Sequence, residues 1–305
     1  MVGTGTIGSG WATLFASKGL TVNLADAAPG AAAKSLDRIR TNLEFLHGHG
    51  LLGEQSPADA VARLTECDSL AAALDGVDLV QESAYESYEV KRPLFAELDR
   101  LSPAHVILAS SSSGLLMTQI QQAVTGHPER CLIAHPINPV YLVPLVELVP
   151  GEKTDPGVMT AARTFYESLG KVPVTLKKEV TGYLENRMTA ALYREAIDLV
   201  NEGVASVEDV DRAIWAGPGM RYALMGPLMI YHLGGGDGGV RHFIEHLGPA
   251  LTEWWQDMRT WTEVPAGAVE KLEAGLQESL NGKSIAETAT WRDRYLVEIV
   301  KALGR

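Results

Sequence analysis

Cysteine is almost missing from this 305-residue chain, which contains only Cys67 and Cys131. The two lie far apart and outside any CxxC pattern, so the sequence excludes a disulfide framework and a cysteine-bound metal cluster. Free cysteines of this kind are usually buried thiols in a reducing compartment. The sequence therefore predicts a cytoplasmic protein.

Basic residues are also few, since 26 Lys and Arg stand against 38 Asp and Glu and leave a formal charge of −12. Because nucleic-acid binding normally requires a clustered basic surface, this balance argues against a nucleic-acid partner. Long apolar runs are missing too: there is no stretch of about 18 uncharged apolar residues to span a bilayer. The glycine-rich turn directly after Met1 leaves no space for an export signal. We expect a soluble protein without a membrane partner.

The remaining composition is that of a globular protein, with 46% hydrophobic and 21% charged residues, and the length suits two domains. In the first half, short apolar runs alternate with helical patterns, which is typical of a parallel sheet flanked by helices. Residues 1–180 are therefore predicted to form an α/β domain of Rossmann type, a mostly parallel sheet with helices on both faces. The predicted strands are 20–25, 77–81, 106–109, 131–134 and 145–149, and the sheet is expected to end near Leu176.

The pattern changes after residue 180. Apolar residues at helical spacing mark one long helix that runs to Gly203. Ser206, followed by two acidic residues, provides a cap for another helix. Residues 181–305 are therefore predicted to form a smaller, all-helical C-terminal domain. Its further helical candidates are 239–247, 266–280 and 284–302.

The first ten residues contain a glycine turn. Gly3, Gly5 and Gly8 have GxGxxG spacing, with Thr6 and Ile7 between the second and third glycine. In this pattern the first glycine permits a tight turn, the second lets the backbone approach a pyrophosphate, and the third packs a helix against a strand. These five residues are the predicted phosphate-binding turn of a dinucleotide site. An ordinary glycine turn is the alternative.

Asp26 strengthens the dinucleotide interpretation, because it ends the run predicted as the second strand. A carboxylate at this point accepts hydrogen bonds from ribose hydroxyls and repels a 2′-phosphate, so the predicted cofactor is NAD rather than NADP. A solvated Asp26 is the alternative. Only Met1 and Val2 remain for the first strand, so a native start further upstream is the alternative to a start at Met1.

The segment 135–147 contains a candidate acid–base pair. His135 lies at the end of a predicted strand and precedes Glu147 by twelve residues. A histidine titrates near neutral pH, and a carboxylate on its far nitrogen fixes the tautomer and raises its basicity. From the spacing alone, a structural role for both residues is the alternative.

Four motifs occur in the order of a known family. They are the glycine turn, Ala-Ser-Ser-Ser-Ser-Gly-Leu at 109–115, His-Pro-Ile-Asn-Pro at 135–139 with its later glutamate, and Thr-Gly-Tyr-Leu-Glu-Asn-Arg at 181–187. Together they resemble the 3-hydroxyacyl-CoA dehydrogenase superfamily over essentially the whole chain. The resemblance implies an NAD-dependent dehydrogenase whose helical domain binds substrate and forms a homodimer.

The resemblance also implies roles for individual residues. It makes His135 the general base and Glu147 its orienting partner. It makes Ser113 and Asn186 hydrogen-bonding groups near the reacting oxygen and the base.

Two further residues, Glu82 and Lys91, are implied to lie near the nicotinamide half of NAD, with a solvated face as the alternative for Lys91.

In the expected mechanism, His135 removes the hydroxyl proton while hydride leaves the same carbon for the nicotinamide. Ser113 donates to the developing oxyanion, which such a donor stabilises by roughly 3–4 kcal/mol. No metal ligands are predicted.

The C-terminal half departs from the fatty-acid enzymes of the superfamily. Its Gly-Pro-Gly-Met-Arg-Tyr-Ala-Leu-Met-Gly-Pro segment at 217–227 looks like the branch that contains L-carnitine dehydrogenase and lambda-crystallin with L-gulonate 3-dehydrogenase. This branch acts on small free 3-hydroxy acids, whose carboxylate needs a cation. Arg221 is the candidate, because its guanidinium grips a carboxylate through two parallel hydrogen bonds. A structural ion pair at a helix end is the alternative.

The run 234–243 and the Trp-Trp pair at 254–255 are similar to the carnitine enzymes more than to the crystallin branch. A quaternary ammonium makes no hydrogen bonds and is usually held by aromatic faces. The candidate aromatic residues, for which packing between helices or at a dimer interface is the alternative, are Tyr222, Phe243, Trp254 and Trp255.

The expected reaction is therefore oxidation of L-carnitine to 3-dehydrocarnitine. L-gulonate, another 3-hydroxy acid or a 3-hydroxyacyl-CoA is the alternative substrate. A crystallin-like protein that binds NAD without turnover is the alternative of another class. The intact set of Ser113, His135, Glu147 and Asn186 disfavours this last alternative.

Overall fold

The computed structural model describes residues 1–304. These divide into two compact units, Met1–Arg187 and Met188–Gly304. None of the helices within residues 1–304 has both the length and the apolar character needed to cross a membrane.

The first unit is built on short strands in two sheets. β1 (Val22–Leu24) pairs in parallel with β2 (Leu64–Glu66). Val2 makes isolated parallel bridges to Ala25 and Glu82, so it stands between the two sheets. The larger sheet contains five strands in chain order, which are β3 (Leu79–Glu82), β4 (Ile107–Ser110), β5 (Cys131–Pro136), β6 (Leu145–Pro150) and β7 (Val172–Thr175).

The larger sheet is parallel except at one place. β3 pairs with β4, β4 with β5 and β6 with β7 in parallel, whereas β5 and β6 are antiparallel. An antiparallel pair needs no crossover helix, so the short connection 137–144 is sufficient to join β5 to β6. This pairing places His135 directly opposite Glu147.

Helices alternate with these strands and cover the apolar sheet residues. The core combines Val80, Leu108 and Ile133 from successive strands with Phe95 and Leu98 from a flanking helix. The helices of the first unit are α1 (Thr6–Ser17), α2 (Ala31–Gly48), α3 (Pro57–Val61), α4 (Leu70–Ala73), α5 (Tyr88–Leu101), α6 (Met117–Gln121) and α7 (Pro156–Ser168).

The regular elements in the described part of the second unit are all helices. The boundary between the units lies inside α8 (Glu185–Asn201), a few residues after the predicted domain boundary at 180. Ser206 accepts a hydrogen bond from the amide of Asp209 and caps the next helix, as predicted. The remaining helices are α9 (Val207–Trp215), α10 (Pro218–Tyr222), α11 (Pro227–Gly234), α12 (Gly239–Asp257), α13 (Ala268–Leu280) and α14 (Ile285–Ala302).

The structure confirms the predicted fold class, a mostly parallel Rossmann-type sheet with helices followed by a helical domain. It also corrects some of the elements. β2 was not predicted, because its three residues are largely exposed and carry no apolar run. The long helix begins at Glu185 and ends at Asn201, two residues before the predicted Gly203, and α12 continues past Pro249 to Asp257 rather than ending at 247.

Candidate active site

The candidate site lies where neighbouring parallel strands end. Val2 leads into the glycine turn, β3 leads into residues 83–87, and β4 leads into residues 111–114, called the serine loop below. Backbone hydrogen bonds align these ends: the amide of Ser83 donates to the carbonyl of Val2, and the amide of Ser111 donates to that of Glu82, both at 2.7 Å. In open α/β sheets, ligands bind at this carboxyl edge.

Two glycines of the turn are required by close packing. Gly3 has a φ of +83°, and a Cβ there would lie 2.6 Å from the carbonyl carbon of Ser83. A Cβ on Gly8 would lie 1.9 Å from the carbonyl oxygen of Gly3. Any side chain at either position would therefore force the turn away from β3 or from α1.

The middle glycine has a different surrounding. A Cβ on Gly5 would meet no atom within 4 Å, so this glycine borders open space. Gly5 is also the N-cap of α1, and Thr6 and Ile7 form the first turn of that helix. The positive end of a helix together with an unobstructed backbone suits a pyrophosphate, so the residues present fit NAD.

Asp26 is held against the glycine turn. One carboxylate oxygen accepts from the amide of Thr4 at 2.6 Å and from its hydroxyl at 2.8 Å, and the other accepts from the amide of Ala28 at 3.0 Å. Burial raises the pKa of Asp26, but the hydrogen bonds from Ala28 and Thr4 outweigh it and hold the pKa below the ordinary value. A partly exposed anion thus lies beside the turn, where the ribose of a bound dinucleotide is expected.

His135 and Glu147 form a buried hydrogen-bonded pair. The Nδ1 atom of His135 donates to Oε2 of Glu147 at 2.9 Å, and the side chains are 7% and 1% exposed. Because Nδ1 is occupied by the carboxylate, Nε2 is the nitrogen that can accept a proton from a substrate. The opposite carboxylate orients the imidazole and stabilises its protonated form.

Glu147 remains an anion although it is buried. Burial is the largest influence and raises the pKa of its carboxyl. Hydrogen bonds from His135 and from the amides of Glu185 and Leu184 act in the opposite sense and hold the pKa below the ordinary value. The partner of His135 is therefore a carboxylate anion, which stabilises the imidazolium that a general base becomes.

The serine loop is organised by a residue that the sequence did not single out, Glu86. Its Oε1 atom accepts from the hydroxyl of Ser112 at 2.6 Å, from the amide of Ser113 at 2.8 Å and from the amide of Gly114 at 3.1 Å. The hydroxyl of Ser113 lies 3.3 Å from the same oxygen. On the other side, Nδ2 of Asn186 donates to the carbonyl of Ser113 at 2.6 Å. The structure therefore brings Ser113 and Asn186 together, with Glu86 as their support.

Glu82 and Lys91, which the resemblance places near the nicotinamide half of NAD, form a buried pair at the end of β3. Their side chains are 0% and 1% exposed and form an ion pair of 2.7 Å. Glu82 also accepts from the amide of Ala84 at 2.6 Å and from the hydroxyl of Ser110 at 2.5 Å. Lys91 also lies 3.6 Å from Oε2 of Glu86, the carboxylate that bonds to the serine loop, so the place of Glu82 and Lys91 near the nicotinamide stays a prediction. The position of Glu86 in the chain could have identified it, because Glu86 lies in the loop after β3 whereas Glu82 ends the strand.

The residues predicted to bind substrate all lie in the second unit. Arg221 and Tyr222 end α10 and are exposed. Phe243 stacks on Tyr231 in α11, with ring centroids 4.7 Å apart and an interplanar angle of 13°.

Trp254 and Trp255 lie near the end of α12 and are 54% and 64% exposed. Successive helical residues point about 100° apart, so the two indoles occupy different faces of α12.

The fold and the carboxyl-edge site define an NAD-dependent dehydrogenase. Comparison with known proteins makes the class more specific. The family model described as 3-hydroxyacyl-CoA dehydrogenase, NAD binding domain, matches residues 1–180, and the model of the C-terminal domain matches residues 182–272. The chain belongs to the 3-hydroxyacyl-CoA dehydrogenase family.

Its curated relatives include L-carnitine dehydrogenases. The protein from Oceanobacillus iheyensis is 40% identical over 300 residues, which is 98% of this chain and 96% of the relative. The protein from Pseudomonas aeruginosa is 39% identical over 307 residues, which is 99% of this chain and 92% of the relative.

Solved structures of other dehydrogenases are similar to this chain in both fold and sequence. An NAD-dependent dismutase, 5-formyl-3-hydroxy-2-methylpyridine 4-carboxylic acid 5-dehydrogenase, matches with a TM-score of 0.84 and 29% identity over 99% of this chain and 97% of that chain. The (S)-3-hydroxybutyryl-CoA dehydrogenase of Ralstonia eutropha matches with a TM-score of 0.66 and 29% identity over 83% and 86%.

Proposed function

We propose that the protein oxidises the 3-hydroxyl of a small free hydroxy acid to a ketone, with L-carnitine as the favoured substrate and NAD as the acceptor. The observation that carries the reaction type is the buried pair of His135 and Glu147 at the carboxyl edge of a dinucleotide-binding sheet. Full-length relatives that are L-carnitine dehydrogenases support the substrate.

The proposed chemistry follows from the contacts of the pair. Bound NAD supplies the hydride acceptor. Nε2 of His135 accepts the hydroxyl proton, and Glu147 stabilises the imidazolium that forms. The hydroxyl of Ser113 is exposed and makes only a 3.3 Å contact with Glu86, so it is able to turn toward the substrate oxygen. Asn186 holds the carbonyl of Ser113 and so positions that hydroxyl.

We assign substrate recognition to the second unit. Arg221 is proposed to bind the substrate carboxylate through its guanidinium, which is exposed at the end of α10. Aromatic faces suit the trimethylammonium group. The proposed contributors are Tyr222, Phe243 and one of Trp254 and Trp255, since these two indoles lie on different faces of α12.

We further propose a cytoplasmic homodimer. Both cysteines are free, as expected in a reducing compartment. The second unit exposes many large apolar side chains, which is typical of an interaction surface. Among the most exposed are Leu228 (79%), Met220 (67%), Trp255 (64%), Leu224 (62%) and Leu233 (59%).

A substrate panel tests the proposal. Purified protein is incubated with NAD and either L-carnitine, L-gulonate, 3-hydroxybutyrate or 3-hydroxybutyryl-CoA, and NADH formation is followed by absorbance. We expect the highest kcat/KM for L-carnitine. A higher kcat/KM for another member of the panel would show that carnitine is not the favoured substrate, while the proposed type of reaction would stand. Tight NAD binding without turnover on any member would overturn the dehydrogenase and favour a crystallin-like role.

A further inference from the structure

Both oxygens of the Glu147 carboxylate are engaged, and only one of them contacts His135. Oε2 accepts from the imidazole at 2.9 Å, whereas Oε1 accepts from the backbone amides of Leu184 at 2.9 Å and Glu185 at 3.0 Å. These amides belong to the first turn of α8 and the residue before it. The carboxylate is thus held from two sides, by an imidazole and by the start of a helix.

The turn that precedes α8 is itself held in place. Gly182 and Tyr183 both have left-handed backbone conformations, with φ of +76° and +50°. For a residue with a side chain this conformation is strained, so it persists only where the surroundings enforce it. Here the ring of Tyr183 is fully buried and its hydroxyl donates to the carbonyl of Leu115 at 2.6 Å. This anchor directs the two amides at the carboxylate.

The same helical turn reaches the serine loop. Asn186 follows Glu185 and donates to the carbonyl of Ser113 at 2.6 Å. The helix has 17 residues, so its first turn also presents the positive end of a full macrodipole to the buried anion. One turn of α8 therefore contacts both the acid–base pair and the loop that carries the candidate oxyanion donor.

We propose that the backbone amides of Leu184 and Glu185 are positioning groups that set the charge balance of the His135–Glu147 pair. This inference rests on the proposed function of His135 as the general base. Two N–H donors stabilise the carboxylate as an anion and reduce its demand for the imidazole proton. Without them the carboxylate is more basic, binds the imidazolium more strongly and keeps His135 protonated to higher pH.

Few other ionisable groups act on this pair from the elements packed around it. Tyr183 faces the imidazole with ring centroids 5.6 Å apart, and burial raises the pKa of its hydroxyl far above the ordinary value. The negative charges of Glu86 and Glu179 also raise the pKa of Tyr183. The side chain of Glu185 lies in the first turn of α8. The variants below must therefore separate the amide of Glu185 from its side chain.

Proline substitution makes that separation. Glu185 is the first residue of α8, a position where proline is well tolerated because its ring matches the helical φ. Glu185→Pro removes the amide donor and the side chain, whereas Glu185→Ala removes the side chain with its contacts and keeps the amide. Comparison of the two variants isolates one hydrogen bond to Oε1 of Glu147.

The primary measurement is the NMR titration of the His135 ring, assigned by its loss in His135→Gln. We expect the midpoint in Glu185→Pro to lie about 0.5–1 pH unit above that in Glu185→Ala. The acidic limb of the pH profile of kcat/KM should move by the same amount, with little change of the alkaline plateau. A role confined to stability would lower the melting temperature or the plateau without moving the limb.

Equal midpoints in the two variants would overturn the inference, whether or not the enzyme turns over. Absence of turnover by the native chain would count against the proposed function instead, because the NMR titration needs no substrate. If Glu185→Pro gives no folded protein, Tyr183→Phe decides. It removes the hydrogen bond that anchors the turn, and we expect a smaller midpoint shift in the same direction, with no shift counting against the inference.

Discussion

His135 stands directly opposite Glu147 on the antiparallel strands β5 and β6, and its Nδ1 atom lies 2.9 Å from Oε2 of that carboxylate. Paired strand positions keep the two side chains on the same face of the sheet. In the proposed reaction, Nε2 is therefore the nitrogen that accepts the proton.

We expect His135→Gln to lower kcat by about a hundredfold or more while the Kd for NAD stays nearly unchanged, because a general base contributes about this much to the rate. Steady-state kinetics and fluorescence titration with NAD measure the two effects. His127→Gln is the matched control, since His127 is exposed and paired with Glu129 at the surface. Near-normal turnover in His135→Gln would remove His135 from the mechanism.

Asp26→Asn should weaken the binding of NAD and relax the discrimination against NADP. The negative charge at the predicted ribose position repels a 2′-phosphate, and its loss removes a charged hydrogen-bond acceptor, so we expect a rise of about tenfold in the KM for NAD. The ratio of kcat/KM for NAD and NADP is the decisive quantity. Asp37→Asn in α2, an exposed position paired with Arg40, is the control. An unchanged ratio would show that Asp26 does not face the ribose.

Glu86 and Glu82 should respond differently to the same substitution. Glu86→Gln replaces the acceptor of the serine loop, so we expect kcat to fall about tenfold, with a much smaller further loss in a Ser113→Ala background. Glu82→Gln breaks a fully buried ion pair, so we expect a loss of about 3–5 kcal/mol in the free energy of unfolding. Urea unfolding and steady-state kinetics of both variants test this contrast. A stable Glu82→Gln variant with weakened NAD binding would instead support a direct role of Glu82 in the cofactor site.

The burial of Lys171 leads us to expect that the free energy of unfolding depends on pH. Its Nζ atom donates to the carbonyls of Val140 and Val143 and lies 5.0 Å above the ring of Trp11. Burial lowers the pKa of Lys171 from 10.5 to about 7. Between these values the unfolded chain binds one more proton than the folded chain, so the contribution of Lys171 to stability rises as the pH increases from 7 toward 10.5.

We therefore expect the free energy of unfolding of the native chain, relative to Lys171→Met, to increase between pH 7 and pH 9.5. Urea unfolding at the two pH values measures this difference. Lys177→Met, at an exposed position, should show no such trend. A difference between native chain and Lys171→Met that is constant with pH would contradict the lowered pKa.

The sequence alone determined the features whose signals lie within a few neighbouring residues. The glycine spacing predicts the turn, because the positive φ of Gly3 and the close approach of Gly8 to the carbonyl oxygen of Gly3 are requirements within a few residues. Ser206 predicts a helix start from local sequence as well, because the side chain of a capping serine bonds to an amide only three residues away. Alternating apolar runs and helical stripes were sufficient for the fold class.

Tertiary structure alone decided which groups meet across long stretches of chain. The sequence contains both Glu82 and Glu86, but only the packing shows that the first is buried against Lys91 and that the second bonds to the serine loop while lying 3.6 Å from the same lysine. The amide of Leu184 reaches the carboxylate of Glu147 over 37 residues. Contacts of this kind depend on the direction in which each side chain leaves its strand or helix and on the register of the sheet. Neither quantity is written in the local pattern of residues, because both result from how distant elements pack.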